Sequence, residues 1–506
     1  MMTMPTLDEE FVLPTRRHLW DSTALRVFAV LLLLTAAPLY EAFRVAAFSS
    51  DDIWWHLSTG LWILQNHAFP RHGLFSQSFD SPWIDSSWGF QVLLALAYKL
   101  LGLRAICLLL MVLKSALAAV TFMLAGGWRR NFWVAVLLSV AAQYILVNLQ
   151  PLPLSCSMLF FGIELLLLLK GRRDKSVRPL FWLPLLFLVW ANLHVQFANG
   201  LLLLVLFLAA DITERLLRRA GLVSSSVPAY SLAKARTAAG LCLLATLITP
   251  YGFQLFPEVM ATAYGAAQFK FYAEVTALDF RRPQHFAFLL LVMAAFLALG
   301  RQHSRDIFKI GTMTVFAMLA FRVQRDVWCV LFPAIAIISD AMPDGESGNE
   351  LPESRAAWKF EKPLAVGLSV LVVLLAFVRV PSNQVLMSRA AAAFPIKACD
   401  FIRANRLPDP LFNSYAWGGF LTWYLPEYPV AIDTRLGLYG SEANEQYVKT
   451  VNGEARLEAN PSFVQARTIL LERGSGLTKA LTTIPVLRDQ FRVVYQDDLA
   501  VVLVRQ

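Results

Sequence analysis

Long apolar runs fill most of the first 380 residues of this 506-residue chain, and a polar tail follows them. A helix that crosses a membrane needs about 20 mostly apolar residues, and these runs approach or reach that length. They are continuous rather than alternating, which indicates helices and not the strands of a transmembrane barrel. The pattern predicts a polytopic α-helical membrane protein with eleven spans, at 24–47, 104–126, 131–149, 152–170, 179–198, 200–217, 233–250, 285–300, 306–321, 326–341 and 363–380.

Composition supports the same class and excludes two others. Hydrophobic residues make up 57% of the chain and charged residues only 16%, whereas a soluble globular chain is about 45–50% apolar and about 25% charged. An ordinary soluble enzyme and a disordered chain are therefore excluded. The net charge of +9 requires no nucleic-acid partner, because Lys and Arg collect in the cytoplasmic loops of membrane proteins. The five cysteines have neither disulfide-framework nor metal-ligand spacing.

The distribution of Lys and Arg predicts which segments face the cytoplasm. Basic residues concentrate in the N-terminal segment 1–23 and in alternate connections after it, so these are expected inside. The loops 48–103 and 250–284 and the tail 381–506 are then expected outside. An apolar stretch of sixteen residues, 88–103, would reverse this pattern if it crossed, so it is predicted to be an interfacial or re-entrant helix on the outer face. The first span has no clear cleavage site and is expected to be a signal anchor.

The tail is predicted to form one extracytoplasmic α/β domain. Charges, prolines and turn residues become frequent after residue 380, and a length of about 125 residues suffices for one small domain. Short apolar runs alternate with helical patterns, which is typical of an α/β fold. The predicted elements are a helix near 389–405, a strand near 410–413, a helix near 416–424, a strand at 429–433, a helix near 441–451, a strand at 467–472, a helix near 475–483 and a terminal hairpin of FRVVY and LAVVLV.

The first outer loop begins with SSDDIWWHLSTGLWIL, which places two adjacent carboxylates directly after the first span. Paired carboxylates can supply a general base or ligands for a divalent metal ion. Asp51 and Asp52 are therefore candidate catalytic residues and candidate metal ligands. His56 lies about one helical turn later and is a candidate substrate contact. The alternative is that the two aspartates form a solvated loop start that ends the span.

Further polar groups are predicted at the same outer end of the bundle. Asn192 and His194, in WANLHVQF, fall near the outer end of the fifth span, where polar residues often have a function. Arg322 and Arg325, in FRVQRD, fall at an outer turn against the charge rule, which makes them candidate phosphate contacts. The alternatives are a packing role for the histidine, and an ion pair with Asp326 or a loop carboxylate for the arginines.

The tail contains the stretch FNSYAWGGFLTWYLPEYPVAIDTRLGLYG, which combines aromatic, glycine and charged residues. Trp417 precedes a Gly–Gly pair, which permits a close backbone approach or a helix start. Asp433 and Arg435 lie at the end of the predicted strand, a position at which binding sites often occur. These three residues are candidates for binding the acceptor. The alternative is that they dock the domain on the bundle.

With these features the chain resembles the GT-C superfamily of membrane glycosyltransferases, and more closely a bacterial group within or beside it. The resemblance rests on the long acidic first outer loop, on the outer C-terminal domain and on five stretches. These are DDIWWHLSTGLWIL, WANLHVQF, TPYGFQL, the tail stretch quoted above and FRVVYQDDLAVVLVRQ. It implies a GT-C-like bundle in a bacterial-type plasma membrane.

The resemblance also implies a reaction, the transfer of a sugar from a polyprenyl-phosphate donor to an acceptor at the outer face. In that superfamily an acid of the first outer loop acts as base or metal ligand, a role that maps onto Asp51 or Asp52. A second acid from the later outer loop maps onto Glu274, with Asp279 next. The two outer arginines would hold the donor phosphate, whose charge calls for arginine or a metal ion. A divalent metal ion is the one cofactor that the resemblance suggests.

Two other functions fit parts of the pattern. A non-catalytic scaffold for cell-envelope assembly would keep this fold and would depend on the tail rather than on the first-loop acids. A transporter or flippase would place polar groups near the membrane midplane and show repeat symmetry. Charged residues deep in the spans are few, with Lys114 and Glu164 as exceptions, so transport is the least favoured of the three.

Overall fold

A computed structural model of the protein describes residues 23–43, 50–129, 131–222, 230–265, 276–343 and 378–506. Each of the first ten predicted spans coincides with a helix. The eleventh, 363–380, lies outside the described residues except for its last three. The helices before residue 344 are α1 Thr23–Phe43, α2 Asp52–Asn66, α3 Trp88–Leu101, α4 Arg104–Leu124, α5 Phe132–Ile145, α6 Pro153–Arg173, α7 Leu183–Leu193, α8 Phe197–Arg219, α9 Leu232–Ala245, α10 Leu255–Gly265, α11 Pro283–Arg301, α12 Ile307–Arg322 and α13 Trp328–Ala341.

Among these helices, α4, α6 and α11 are by themselves long and apolar enough to cross a membrane. Shorter apolar helical stretches occur at Leu25–Tyr40, Trp88–Leu101, Phe132–Ile145 and Arg178–Leu193. The count of eleven spans therefore stays a prediction, as does the side of the membrane on which each loop lies.

Buried aromatic side chains fill the centre of the bundle. Phe161 of α6 packs edge-to-face on Phe316 of α12 and on Trp328 of α13, with ring centroids 5.3 and 5.1 Å apart. Such pairs contribute about 0.5–1.5 kcal/mol beyond the area that they bury. Because lipid tails are as apolar as these side chains, close packing holds membrane helices together better than exclusion from water does.

One end of the bundle is held by buried charges from the segments predicted to face the cytoplasm. Arg172 at the end of α6 donates from Nη2 to Glu214 of α8 at 2.9 Å and to Asp306 at 3.3 Å. The carboxylate of Glu214 also accepts from the Ile307 amide at the start of α12, at 3.1 Å. Arg172 lies at the C-terminus of α6, and the carboxylate of Glu214, although it comes from α8, lies at the N-terminus of α12. Each charge therefore also interacts favourably with the dipole of the helix end beside it.

At the opposite end, the fifth and sixth predicted spans meet at a break in the helix. α7 ends at Leu193, His194 has an extended backbone with φ −166° and ψ 141°, and α8 begins at Phe197. The sequence predicted this boundary a few residues too late. Apolar residues continue through the turn, so hydropathy alone could not locate it.

The ambiguous stretch 88–103 forms the helix α3, which packs against α2. Fourteen residues span about 21 Å, short of the hydrocarbon core of about 30 Å. Its side facing away from the protein exposes Leu93, Leu96 and Leu100 at helical spacing. A short helix with one exposed apolar stripe supports the predicted interfacial or re-entrant position.

The tail forms a four-stranded mixed sheet with helices around it. The strands are β1 Leu411–Asn413, β2 Thr468–Glu472, β3 Phe491–Gln496 and β4 Ala500–Arg505, in the order β1-β2-β4-β3. β1 and β2 are parallel, and the other pairs are antiparallel. The tail helices are α14 Asn383–Ala390, α15 Ile396–Ala404, α16 Gly418–Tyr424, α17 Leu436–Asn452, α18 Pro461–Gln465, α19 Gly476–Thr483 and α20 Pro485–Arg488. The predicted α/β character and the terminal hairpin are present.

Two predicted tail elements are wrong. The single helix expected near 389–405 is two helices, because Pro395 interrupts it and serves as the N-cap of the second. The strand expected at 429–433 is not part of the sheet. Its Val430 instead makes an isolated parallel bridge to Ser76 of the first outer loop. This segment pairs with the first outer loop instead of with a strand of the tail, and a local sequence pattern cannot reveal a partner so far away in the chain.

The tail and the first outer loop share one apolar core. Trp54 of α2 is fully buried and lies edge-to-face against Phe394 and Phe420 of the tail, at 5.8 and 5.2 Å between ring centroids. Trp423 packs beside it at 4.6 Å. These aromatic contacts bring the first-loop acids and the charged residues of the tail together.

Candidate functional site at the seam between the first loop and the tail

Asp51 is buried at the start of the tail helix α16. Its Oδ2 accepts from the Gly419 amide at 2.7 Å, and its Oδ1 accepts from the Phe420 amide at 2.8 Å. The first amides of a helix have no partner within the helix, so this carboxylate caps a helix that comes from more than 360 residues away. Burial raises the pKa of Asp51, while the two amide hydrogen bonds act in the opposite direction. The geometry makes Asp51 an anchor for the tail.

The Gly–Gly pair of the tail explains how this anchor forms. A Cβ atom at Gly419 would lie 2.4 Å from the backbone oxygen of Asp51. A Cβ atom at Gly418 would lie 2.2 Å from the backbone oxygen of Ile432. Both distances are far inside van der Waals contact. The pair is therefore required for close approach of the helix start to the first loop on one side and to residues 432–433 on the other.

Asp52, the next residue, has a different environment. It is half-buried at the first position of α2. The indole Nε1 of Trp55 lies 3.4 Å from its Oδ1 and donates at 3.1 Å to Thr434 of the tail. Asp52 thus lies at the seam between the first loop and the tail and keeps contact with solvent. Of the two aspartates, it is the one that a substrate can reach.

Asp433 and Arg435 form a fully buried ion pair in this seam. Arg435 Nη2 lies 2.6 Å from Asp433 Oδ2 and donates at 2.8 Å to the carbonyl of Leu74 in the first loop. Its guanidinium lies 4.9 Å from the ring centroid of Trp83, and Tyr439 donates to Asp433 at 2.9 Å. The nearby anionic carboxylate raises the pKa of Arg435 although burial acts in the opposite direction. The pair therefore holds the tail against the first loop.

Trp417 is hydrogen-bonded within the tail itself. It is buried, with 3% of its surface exposed, and its Nε1 donates to the carbonyl of Ala393 at 3.1 Å. Asp433 and Arg435 are also buried, with 0% and 4% of their surfaces exposed. Direct contact with an acceptor requires accessible atoms, so burial and the contacts of Arg435 with the first loop favour the docking alternative for the Asp433–Arg435 pair. Acceptor binding by these three residues stays a prediction.

A second buried polar network lies behind this seam. Gln91 of α3 donates from Nε2 to Asp85 Oδ1 at 2.8 Å, and the same nitrogen lies 3.3 Å from His56 Nδ1. Burial lowers the pKa of His56, and the positive charge of Arg435 lowers it further. His56 is therefore a neutral imidazole inside the fold. Burial also raises the pKa of Asp85 from 3.8 to about 7, against the opposing effects of Ser87, Gln91 and Arg435.

The raised pKa of Asp85 predicts a pH-dependent stability. Between about pH 4 and pH 7 the folded chain holds one proton more than the unfolded chain, so stability falls as pH rises through this window. Asp85→Asn preserves the uncharged shape. We expect it to stabilise the protein above pH 7 by up to about 4 kcal/mol and to change little at pH 4.

Thermal unfolding in detergent at pH 5 and pH 8 measures this effect. Asp80→Asn is the matched control, because Asp80 is an exposed acid of the same loop. A melting-temperature difference between Asp85→Asn and wild type that is equal at both pH values contradicts the assignment.

The later outer loop joins the first loop at the same end of the bundle. Tyr251 donates from its hydroxyl to the Pro70 carbonyl at 2.7 Å, and Arg71 lies 5.6 Å from the Tyr251 ring centroid. Glu258 of α10 lies beside Gly437 of the tail, where an added Cβ would be 2.9 Å from its Oε1. Burial raises the pKa of Glu258.

Glu258 thus brings an acid of the later loop to the tail. The sequence favoured Glu274 for that role, and Glu274 lies outside the described residues. Asp279, the second choice, is exposed and lies 3.8 Å from Arg282 in an ion pair. Nothing in a single sequence distinguishes Glu258 from the other acids of its loop, because its proximity to residue 437 depends on the docked tail.

Asn192 and His194 lie at the same end and make different contacts. Asn192 accepts from Trp88 Nε1 at 2.9 Å and donates to the carbonyl of Ile248 at 2.9 Å, which joins α7 to α3 and to the end of α9. It is a bridging residue. His194 Nδ1 lies 2.8 Å from the hydroxyl of Ser157, a residue that the sequence did not single out.

A crevice of about 280 Å³ opens between the ends of the helices beside this region. Its polar lining residues are Asn148, Gln150, Ser155, Arg282, His285, Gln324 and Arg325, and the rest of the lining is apolar. The Nε of Arg325 is buried and, among the described residues, has no hydrogen-bond partner. Arg322, the other candidate, is exposed and is not part of the lining. The structure therefore separates the two arginines that the sequence had grouped.

The described residues offer little support for the suggested metal ion. Both oxygens of Asp51 accept backbone amides, and Asp433 is neutralised by Arg435. Across the ranges that the structure describes, no three His, Cys, Asp or Glu side chains come together as a metal site. A divalent metal ion held by Asp51 and Asp52 stays a prediction.

No protein-family model matches the sequence, and no curated protein matches it. Among solved structures, the archaeal oligosaccharyltransferase AglB from Archaeoglobus fulgidus, in complex with an inhibitory peptide and a dolichol-phosphate, aligns with a TM-score of 0.52. The identity is 10%, over 88% of this chain and 68% of that chain. The Archaeoglobus fulgidus oligosaccharyltransferase in the apo form aligns with a TM-score of 0.50 and 9% identity. The alignment covers 92% of this chain and 72% of that chain. This chain has the GT-C fold.

ArnT from Cupriavidus metallidurans, in the apo state, aligns with a TM-score of 0.46 and 16% identity, over 95% of this chain and 97% of that chain. The fold is the one that the resemblance implied. At such low identity it establishes the architecture, and the reaction has to be argued from the site.

Proposed function

We propose that this GT-C protein is an integral-membrane glycosyltransferase that moves a sugar from a polyprenyl-phosphate donor to an acceptor at the outer face. The crevice beside Arg325 is the observation that carries the proposal. Its apolar walls suit a prenyl chain, and its polar and cationic side suits a phosphate. AglB, which shares the fold, was solved with a dolichol-phosphate.

Arg325 is proposed to bind the donor phosphate. A buried guanidinium nitrogen without a partner among the described residues is costly, and a phosphate oxygen would satisfy it with a charge-assisted hydrogen bond. The sugar leaves the phosphate when its C1–O bond breaks, and negative charge then grows on the leaving lipid phosphate. A fixed cation at that point stabilises the transition state more than the ground state.

Asp52 is proposed as the general base. As the acceptor oxygen forms its bond to the sugar C1, its proton passes to the carboxylate of Asp52. Asp52 is suited to this role because it is half-buried at the seam, whereas Asp51 is buried and caps α16. Glu258 is the further acid that could orient the acceptor from the later loop.

Arg325→Gln is expected to weaken binding of the donor phosphate about 10-fold or more, because a charge-assisted hydrogen bond is lost from a partly desolvated site. The measurement is the apparent affinity of the purified protein for a polyprenyl monophosphate. Arg281→Gln is the matched control, since it removes the same charge from an exposed position outside the crevice. Equal losses in the two variants would assign the effect to overall charge and contradict a site at Arg325.

The function itself is tested by mass spectrometry of the polyprenyl-phosphate sugar pool. Wild type, a deletion strain and an Asp52→Asn strain are compared at equal expression. Accumulation of one glycolipid in both mutant strains identifies the donor and supports catalysis. A scaffold predicts instead an unchanged pool in the Asp52→Asn strain and a defect only when the tail is removed. A flippase predicts accumulation in the deletion strain alone.

A further inference from the structure

Three side chains form a hydrogen-bonded series where the start of α6 meets the end of α7. Trp190 Nε1 donates to Ser157 Oγ at 2.7 Å, and Ser157 Oγ lies 2.8 Å from His194 Nδ1. Ser157 and Trp190 are fully buried, and His194 is half-buried. The side chains of Trp190 and His194 therefore meet at the same hydroxyl of α6.

This series fixes the protonation pattern of His194. An indole N–H can only donate, so the Ser157 oxygen acts as acceptor toward Trp190. The hydroxyl oxygen could accept a second hydrogen bond, but among the described residues its own proton has no acceptor other than Nδ1 of His194, so donation to Nδ1 satisfies both groups. Nδ1 is then the unprotonated nitrogen, and the neutral imidazole carries its proton on Nε2.

His194 occupies a position between the two halves of the candidate site. Ser157, which contacts it, lies on α6 between Ser155 and Met158, and both of these line the crevice together with Arg325. His194 itself follows α7 in the break before α8, where Gln196 donates at 3.2 Å to Asp326, the neighbour of Arg325. Its Nε2 has no hydrogen-bond partner among the residues that the structure describes. A neutral donor next to a cation is an arrangement that binds an anion with directional hydrogen bonds.

We propose that Ser157 and Trp190 hold His194 as a neutral Nε2–H donor that hydrogen-bonds an oxygen of the lipid phosphate bound at Arg325. The proposal rests on the proposed function and adds a second phosphate contact to it. Because the same nitrogen remains protonated throughout, His194 binds and orients the leaving group and transfers no proton. Ser157 is a positioning residue, and its hydroxyl acts only through the imidazole.

Two substitutions of His194 separate its nitrogens. A Gln side chain can place its amide N–H near the position of Nε2, whereas Asn places it near Nδ1. His194→Gln is expected to keep the affinity for a polyprenyl monophosphate within about 3-fold of wild type, and His194→Asn to lose about 10-fold. Ser157→Ala is expected to weaken binding in the wild-type background and to have no further effect in the His194→Gln background.

The probes are a polyprenyl monophosphate and inorganic phosphate, added separately to the purified protein. If only the lipid responds to the substitutions, the donor lipid is the ligand. If both respond equally, the site recognises the phosphate group itself, and the contact is also supported. If wild type binds the lipid phosphate and His194→Asn binds it equally well, this inference is overturned while the proposed function stands. If wild type binds neither, both are overturned.

The tautomer can also be read directly, which keeps the proposal testable if a variant does not fold. The chain has seven histidines, so a sample with ¹⁵N-labelled histidine gives a tractable spectrum, and the signals lost in His194→Gln identify His194. We expect the Nε2–H pattern at neutral pH and a shift of the Nε2 signal when the lipid phosphate is added. An Nδ1–H pattern in wild type would overturn the proposal.

Discussion

Replacing Asp52 with Asn is expected to lower the rate of sugar transfer by about 10²- to 10⁴-fold, the usual contribution of a positioned general base. Asn keeps the size of the side chain and cannot accept the acceptor proton. Folding should be preserved, because Asp52 is only half-buried, at the first position of α2, and Asn keeps its size. The measurement is turnover of a polyprenyl-phosphate sugar by the purified variant at saturating donor.

The neighbouring Asp51 provides the sharpest comparison. Asp51→Asn has one acceptor oxygen for two amides of α16, so one buried N–H loses its partner, at a cost of about 1–3 kcal/mol. Its main effect should be a lower melting temperature and faster proteolysis of the tail. Asp80→Asn, in the same loop but exposed, should resemble wild type in both assays. If Asp51→Asn remains stable and loses activity as Asp52→Asn does, the division of roles between the two aspartates is wrong.

Breaking the buried ion pair should have the largest effect on stability. Arg435→Met leaves the carboxylate of Asp433 buried without its cation, and such losses cost about 3–5 kcal/mol. The variant also loses the contact with the Leu74 carbonyl and the stacking on Trp83. We expect release of the tail from the first loop, seen as a lower melting temperature and as cleavage in the tail by added protease.

Two further variants show whether the effect belongs to this pair. The double variant Asp433→Leu/Arg435→Met removes both charges and should recover part of the lost stability, because no uncompensated charge stays buried. Arg473→Met breaks an exposed pair with Asp498 in the same domain and should cost at most about 1 kcal/mol. Similar destabilisation by Arg473→Met and Arg435→Met would show that the buried pair has no special role in docking.

The sequence was most informative where a local pattern decides the structure. The run of apolar residues at 104–126 corresponds to α4, and the alternation in FRVVY and LAVVLV corresponds to the antiparallel strands β3 and β4. In both cases the residues that define the pattern are contiguous in the chain, so a local window contains all the information needed to recognise the element. The stretch 429–433 has the same kind of pattern, and there the prediction failed because its partner, Ser76, is more than 350 residues away in the chain.

For the candidate site, too, the sequence located the residues but could not distinguish their surroundings. The sequence alone located the chemically unusual residues: the adjacent aspartates after the first span, the histidine in WANLHVQF, the arginine before α13 and the Asp–Arg pair of the tail. It could not separate Asp51 from Asp52, since both are carboxylates at the same loop start. That difference arises only when the amides of residues 419 and 420 reach one of them.

Composition and hydropathy by themselves therefore determined where the apolar helices lie and that a polar α/β tail follows them, because the length and period of each run are local properties. Only the tertiary structure decided the role of each charged residue. Asp433 and Arg435 are docking residues and not accessible ones because the first loop covers them, and Arg325 differs from Arg322 because a crevice forms around it. The properties of a charge depend on what surrounds it, and those surroundings come from distant parts of the chain.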